Sequence, residues 1–423
     1  MFSIRDPLWS TIPVEPFARE LIDTPAFQRL RNVRQLGLAY LVYPGASHSR
    51  FEHALGTYHL ARRALALLEE SGALDDELRA DAGIIHAAAL LHDIGHYPFS
   101  HALEEIGAVH HEEVARPLIT TGAIADRLAR TLGADAPARI MDLIRGTSDC
   151  PLQGLISGSL DLDKIEYLRR DILMCGVGHV GVDADRLLNS LTILTDPDTD
   201  RRRVGIIEKG LAALESLLFA KYQMYRNVYW HHAVRSATVM YMRLVSDALD
   251  AGTLDAATLA GYTDEALLAQ LERDHPSRLL SGLRERKLFK RSFECPAAQL
   301  SGEECEWIAD DRALVPRVEA ALERELGIAP GELLLDYPVK TQMLGLDIPV
   351  LRRDGATMRL DARGWTGSID LPKLSQELYR SARWLRVFTA NRTELDPTPL
   401  LRFLRRPLAE VRAMVDAGEK LLG

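Results

Sequence analysis

Apolar residues recur at helical spacing through most of residues 14–250. EPFARELIDTPAFQRLRNVRQLG reads as two helices broken at Thr24-Pro25, since proline cannot continue the hydrogen-bond ladder and biases its predecessor away from helical backbone. FEHALGTYHLARRALALLEESG reads as one helix with a glycine stop. DAGIIHAAALLHDIG is apolar nearly all round, the mark of a buried helix. DLDKIEYLRRDILMCG and AALESLLFAKYQMYRNVYWHHAVRSATVMYMRLVSDAL predict two more, with RRRVGIIEKG between them as a short strand pair.

The pattern changes at Leu249 to Gly261, a stretch rich in Ala, Gly, Thr and Asp. It reads as a boundary between a helical domain over 1–250 and a second domain over 251–423. Beyond the basic run RERKLFKR (284–291), the segments LLLDYPVKTQ, DIPVLRR and ATMRLDA read as strands, and Asp354-Gly355 is a hairpin turn signal. LSQELYRSARWLRVFT and LLRFLRRPLAEVRAMVDAGEKLL read as a closing helical pair. The expected fold is mostly α with a smaller α+β C-terminal extension. The strands over 336–362 would leave an open edge for pairing or packing between subunits, which predicts a homo-oligomer.

A length of 423 residues exceeds one simple core and fits two domains. Apolar content of 47% with 26% charged residues argues against disorder. A net charge of −9 excludes wrapping nucleic acid by bulk electrostatics. Cys150, Cys175, Cys295 and Cys305 form no CxxC pair and read as thiols of a reducing compartment. MFSIRDPLWSTIPVEP has no apolar leader core, and no stretch approaches the roughly 18 apolar residues of a membrane span. The expectation is a cytoplasmic protein with no membrane partner.

The candidate chemistry lies in LLHDIGHYPFSHALEE, where an apolar helix ends by placing His92, Asp93, His96 and His101 close together. A lone buried histidine is usually a core residue. The company changes that reading: His53 lies in SRFEHALG and Asp163 in LDLDKIEYLRRD. Two imidazoles and two carboxylates suit Mn, Fe, Zn or Ni, and less comfortably Mg. Fewer than six protein ligands leave positions for water and a phosphate oxygen. Lys164, Tyr167 and Asp171 share one helix face beside Asp163, and Asp161 reads as the N-cap. Arg169 and Arg170 fit solvated surface and phosphate contact equally.

The order H…HD…D, carried by LGLAYLVYPGASHSRFEHALG, LLHDIGHYPFSH and DLDKIEYLRRD, resembles the HD-domain phosphohydrolases. Within them it is most similar to the deoxynucleoside triphosphate triphosphohydrolase branch. The likeness is dense over residues 1–240 and diffuse beyond. It implies an HD-type helical core and hydrolysis of a dNTP to deoxynucleoside and inorganic triphosphate. By this resemblance His53, His92, Asp93 and Asp163 would hold the divalent ion. His101 would act beside the α-phosphate, with Glu104 as its acidic partner where the family has Asp, and His96 and His111 would contact phosphates. Arg50 would bind the α-phosphate, Lys164 a phosphate oxygen, Tyr167 the sugar and Asp171 the 3′-hydroxyl. Gln35 and Leu36 would lie near base and sugar, packed closely enough to exclude a 2′-hydroxyl.

In KYQMYRNVYWHH, Lys221 and Arg226 would meet phosphate and Tyr229 the sugar, although the stripe Tyr222, Tyr225, Tyr229 fits a core equally well. His59, His86 and His110 have no expected role. Asp23, Gln28 and Arg31 match residue types that read an activating guanine nucleotide or dNTP at a subunit interface in regulated members, which are dimers to hexamers. They fit a helix cap and surface charge as well, and the N-terminal lysine of those proteins has no counterpart near Phe2 and Arg5. Two rival readings stand beside this one. The first is an HD phosphodiesterase or phosphatase acting on another nucleotide. The second is a nucleic-acid-binding protein with a structural HD site, using RERKLFKR and RSARWLRVF; a solvated helix face is the plainer reading of RERKLFKR.

Overall fold

A short antiparallel hairpin of β1 (Phe2–Asp6) and β2 (Ser10–Val14) opens the chain. The computed structural model describes residues 2–178, 181–339, 346–361 and 371–423. The break at Thr24-Pro25 falls as the pattern predicts. Helices Pro16–Ile22 and Pro25–Arg29 each begin with proline, and the Thr24 hydroxyl caps the second.

The Arg50–Glu70 helix starts with a capping box of Ser49 and Glu52 and packs on Ala82–Leu91 and Leu162–Cys175. Every residue from Ile84 to Leu91 is buried, and each Leu or Ile so placed contributes about 1.5–3 kcal/mol. Helices His111–Thr120, Gly122–Leu132 and Ala136–Ile144 pack against one another beside it. Asp161 caps Leu162–Cys175 as expected, accepting from the Lys164 N–H at 2.9 Å, and Gly176 ends it at φ +69°.

The run over 212–249 is two helices, Leu211–Met224 and His232–Asp250, joined by a π-helical turn at Tyr225–Tyr229. The Trp230 N–H donates to the Tyr225 carbonyl at 2.8 Å, a wide turn that re-aims the aromatic stripe. The second helix ends at Asp250, at the expected boundary, but its side chains pack on both parts of the chain. Its Met240, Tyr241 and Leu244 share a core with Leu38 and Phe99 before it and Leu267 and Phe388 after it.

Further strands follow: β3 (Leu191–Thr195), β4 (Arg202–Ile207), β5 (Lys290–Pro296), β6 (Leu333–Asp336), β7 (Ile348–Leu351), β8 (Thr357–Leu360) and β9 (Trp384–Thr389). RRRVGIIEKG supplies only β4, whose hairpin partner β3 lies upstream. The Asp354-Gly355 turn joins β7 to β8, with Gly355 at φ +86°. β7 then runs parallel to β4, so this sheet has the order β3-β4-β7-β8 and returns to the N-terminal core. Among the described residues, β8 and β3 are the edges of this sheet. Of the stretch 336–362, residues 340–345 and 362 lie outside the described residues.

WLRVFT is a strand, where the pattern predicts a helix. It forms β9, the centre of the sheet β5-β9-β6, and is buried from Leu385 to Thr389. A short run apolar on every side fits a central strand as well as a buried helix, and pairing decides between them. RERKLFKR likewise is not a helix face: a helix ends at Arg284, Arg286 takes φ 56°, and β5 begins at Lys290. Pro407 separates the last helices, Pro397–Leu404 and Leu408–Ala417. Among the described residues no helix is long and apolar enough to cross a membrane. The architecture is mostly α with small sheets in the C-terminal half.

Candidate active site

Three buried helices bring four donor side chains together. His53 comes from the first turn of Arg50–Glu70, His92 and Asp93 from the end of Ala82–Leu91, and Asp163 from the first turn of Leu162–Cys175. His53 Nε2 lies 2.9 Å from Asp163 Oδ1, 3.2 Å from His92 Nε2 and 3.5 Å from Asp93 Oδ2. His92 Nε2 lies 3.4 Å from Asp93 Oδ1 and 3.6 Å from Asp163 Oδ1.

Both imidazoles are aimed from behind. His53 Nδ1 donates to Glu166 Oε2 at 2.6 Å, and His92 Nδ1 donates to the Ala89 carbonyl at 3.0 Å, so each Nε2 points inward. Glu166 Oε1 in turn accepts from Arg170 Nε at 2.8 Å and Trp9 Nε1 at 3.0 Å, and Arg170 reaches Asp6 at 3.0 Å. Gly56 makes room for this carboxylate, since a Cβ there would lie 2.0 Å from Glu166 Oε1. Arg170 is 1% exposed. It is therefore neither solvated surface nor a phosphate contact. Glu166 was within reach of sequence reasoning, standing three residues after Asp163 on the same helix. Its partners Asp6 and Trp9 lie in the hairpin, which helical periodicity does not reveal.

Burial depresses the basicity of His53, but Asp163 and Glu166 outweigh it and raise its pKa to about 10. His92 is raised too, with burial again opposed by Asp93 and Asp163. Burial would raise Asp163, yet His53 and His92 hold it well below the ordinary carboxylate range. Such a concentration of negative charge around two imidazoles is compatible with a divalent ion. The donors of His53, His92 and Asp93 converge closely enough to be compatible with such an ion, and Asp163 Oδ1 lies 2.9 Å from His53 Nε2, where it would join them.

A second histidine cluster faces the first. His96 Nε2 contacts Asp93 Oδ1 at 3.0 Å, and its ring stacks on His111 with centroids 3.9 Å apart. Glu104 bridges His101 and His111, accepting from His101 Nδ1 at 2.9 Å and His111 Nδ1 at 2.7 Å. Burial opposes ionisation of Glu104, but these two hydrogen bonds pull its pKa well down. Burial, aided by Arg50, keeps His96 neutral, and burial lowers His111 as well. Gly95 permits the close approach, since a Cβ there would lie 2.1 Å from the His111 carbonyl. Phe99 and Ser100 carry this loop through left-handed backbone at φ 58° and 62°. Asp264 holds the bend by accepting from the Phe99 N–H at 2.7 Å, and Ser100 Oγ accepts from Arg50 Nε at 3.0 Å.

Both clusters reach a cavity of about 710 Å³, the inner one through His92, Asp93 and Asp163. Gln35, Leu36 and Arg50 line it from one side, and Lys164, Tyr167, Asp171 and Tyr229 from the other. Arg50 NH1 donates to Asp93 Oδ2 at 2.7 Å. Lys164 pairs with Asp161 and donates to the Gly158 carbonyl at 2.9 Å. Asp171 is fixed by His48 Nε2 at 2.8 Å and the Tyr229 hydroxyl at 2.6 Å, which puts Tyr229 in the pocket wall. His48, absent from the expected set, sits two residues before Arg50 in GASHSR. Lys221 and Arg226 do not line the cavity. Burial pushes the Lys221 ammonium down to about 8, and exposed Arg226 donates to the Tyr222 hydroxyl at 2.7 Å. His110 reaches the cavity, whereas His59 packs on Trp9 and His86 sits 3.0 Å from Glu15.

Asp23, Gln28 and Arg31 gather away from the cavity. Asp23 closes the Pro16–Ile22 helix, Gln28 Nε2 donates to the Ile22 carbonyl at 2.8 Å, and Arg31 Nε donates to Gln28 Oε1 at 2.8 Å.

Two family descriptions match the chain: the HD domain over residues 50–145 and the HD associated region over 182–364. The chain thus carries an HD domain followed by an HD associated region. Its HD match holds His53, His92, Asp93 and the whole second cluster, while Asp163 falls between the two matched regions. The chain is 37% identical over 288 residues to an uncharacterized protein of Methanocaldococcus jannaschii, across 68% of this chain and 58% of that one. It is 27% identical over 339 residues to the deoxynucleoside triphosphate triphosphohydrolase SAMHD1 homolog of Dictyostelium discoideum, across 73% of this chain and 63% of that one. The chain thus spans less than two thirds of either relative. The fold matches that of a phosphohydrolase from Bacteroides thetaiotaomicron with a TM-score of 0.72, at 24% identity over 92% of this chain and 100% of that one.

Proposed function

We propose that this HD-domain protein hydrolyses deoxynucleoside triphosphates to deoxynucleoside and inorganic triphosphate, using a divalent ion. One observation carries the reading. Four nitrogen and oxygen donors converge at the floor of a cavity whose walls hold Arg50, Lys164 and three imidazoles. That arrangement suits a polyanion lying against a cation. The likeness to a Dictyostelium protein named as a deoxynucleoside triphosphate triphosphohydrolase supports the choice of substrate.

Hydrolysis breaks the bond between the α-phosphorus and the 5′-oxygen, and the departing oxygen needs a proton. His101, held through Nδ1 by Glu104, has Nε2 free to give it. A bound divalent ion supplies Lewis acidity toward the phosphate and a more acidic water. Arg50 and Lys164 neutralise phosphate charge, and His96 and His111 contact the phosphates. Asp171 accepts from the 3′-hydroxyl, Tyr167 and Tyr229 pack the sugar, and Gln35 and Leu36 crowd the 2′ position. Activation by a guanine nucleotide or dNTP at Asp23, Gln28 and Arg31, and assembly into a homo-oligomer, belong to the same proposal.

The test is to incubate the purified protein with each dNTP and NTP, with Mn or Mg, and identify the products. Inorganic triphosphate from dNTPs is expected. Orthophosphate or a monophosphate would instead assign another HD phosphohydrolase activity. Salt-dependent binding of single strands without turnover would replace the enzyme with a nucleic-acid-binding protein.

A further inference from the structure

Beyond the phosphate-facing residues, the cavity ends at a buried ion network that the proposed chemistry does not use. Arg235, on the His232–Asp250 helix, is its centre. NH1 and NH2 donate to the two Glu105 oxygens at 2.9 and 3.0 Å, a bidentate pair. Nε and NH2 also donate to Asp336 Oδ1 at 3.2 and 2.8 Å. The guanidinium side chain is 5% exposed and the Asp336 carboxylate fully buried. Arg386, opposite Asp336 in the β6–β9 register, flanks the network at 3.9 Å.

The two carboxylates belong to different parts of the protein. Glu105 shares the single 3-10 turn Glu104–Ile106 with Glu104, whose carboxylate holds His101 and His111. Asp336 ends β6 in the C-terminal sheet and does not line the cavity. One guanidinium thus ties the turn that carries Glu104 to a sheet of the other half of the chain. Its planar fork fixes both carboxylates in direction as well as distance, which a lysine ammonium cannot do.

We propose that Arg235 is a positioning residue: by clamping Glu105 to Asp336 it holds the Glu104 turn, and so His101, in register with the scissile phosphate. The inference rests on the dNTP reading for its activity readout. Its structural readout stands apart from that reading.

The test compares full-length wild type with Arg235→Gln, Arg235→Lys and Asp336→Asn. Each is measured for kcat and KM on a dNTP, for bound metal, and for amide exchange in residues 100–107. In Arg235→Gln, kcat is expected to fall about 10–100-fold with KM and metal content unchanged, the scale of a small misplacement of a reacting group. Exchange in residues 100–107 should accelerate while the Leu162–Cys175 helix keeps its protection. Arg235→Lys should recover part of kcat, and Asp336→Asn should move both readouts the same way by less. Wild-type kcat in Arg235→Gln, or a lowered kcat with exchange in 100–107 unchanged, would overturn the proposal. If wild type releases no triphosphate from any dNTP, the functional reading fails, and amide exchange alone decides for or against the clamp. If Arg235→Gln does not fold, Asp336→Asn decides by the same two readouts.

Discussion

The two histidine clusters face the same cavity, yet their carboxylates stand in different places. In the inner one, His53 and His92 each spend Nδ1 on an acceptor behind them and turn Nε2 toward Asp93 and Asp163. Carboxylates dominate the focus, and the focus wants a cation. In the outer one, Glu104 sits behind His101 and His111 and takes their Nδ1 hydrogens. The carboxylate is at the back, so these imidazoles present their other edge to whatever enters. An acceptor stands behind His53 as it does behind His101 and His111; what separates the clusters is the pair of carboxylates in front of the inner one.

Substitutions should separate the clusters. The largest effect is expected from Asp93→Ala, which removes an inner donor and the partner of Arg50 and His96 at once. Metal analysis should find the ion gone and turnover abolished; a metal-replete, active variant would refute the inner assignment. Next, His101→Ala should lower turnover about 10²–10⁴-fold while the metal stays bound. Loss of the metal along with turnover would mean that the clusters are not separable.

Glu166→Gln should then weaken metal affinity about 10–100-fold through the orientation of His53, leaving the outer cluster intact. Titration of the apoprotein with Mn reads this directly. The smallest effect lies outside both clusters. Burial pushes the His59 imidazole down to about 4, from an ordinary 6.5. The folded form therefore resists a proton that the unfolded chain accepts, and stability present above pH 6.5 is lost as pH falls toward 4. Melting temperatures across that window should fall less steeply in His59→Asn; an identical slope would show that another group sets it.

The convergence of the inner cluster was legible in the sequence because its donor side chains come from three well-patterned helices. Each short motif, such as FEHALG or HDIGH, carries its own glycine where the packing needs one. What stands behind the ligands was less legible. Arg170 fits surface and phosphate contact equally in the sequence, and only the fold brings Asp6 to it from 164 residues away. WLRVFT resists assignment for a related reason: a segment buried on all sides shows no period, and only its neighbours β5 and β6 make it a strand. The register of KYQMYRNVYWHH is reset by a π-turn that no periodicity announces, which places Tyr229 in the pocket and leaves Arg226 outside it.

Asp264 has a consequence for dissection of the protein. It lies past the end of the HD match, yet its carboxylate secures the Phe99 amide and the Arg34 backbone. A fragment cut after Asp250 would retain every ligand and every imidazole of the site, but not the anchor of the bend that aims His101. Such a fragment should bind its ion and turn over poorly. The HD portion is a chemical unit without being a mechanical one.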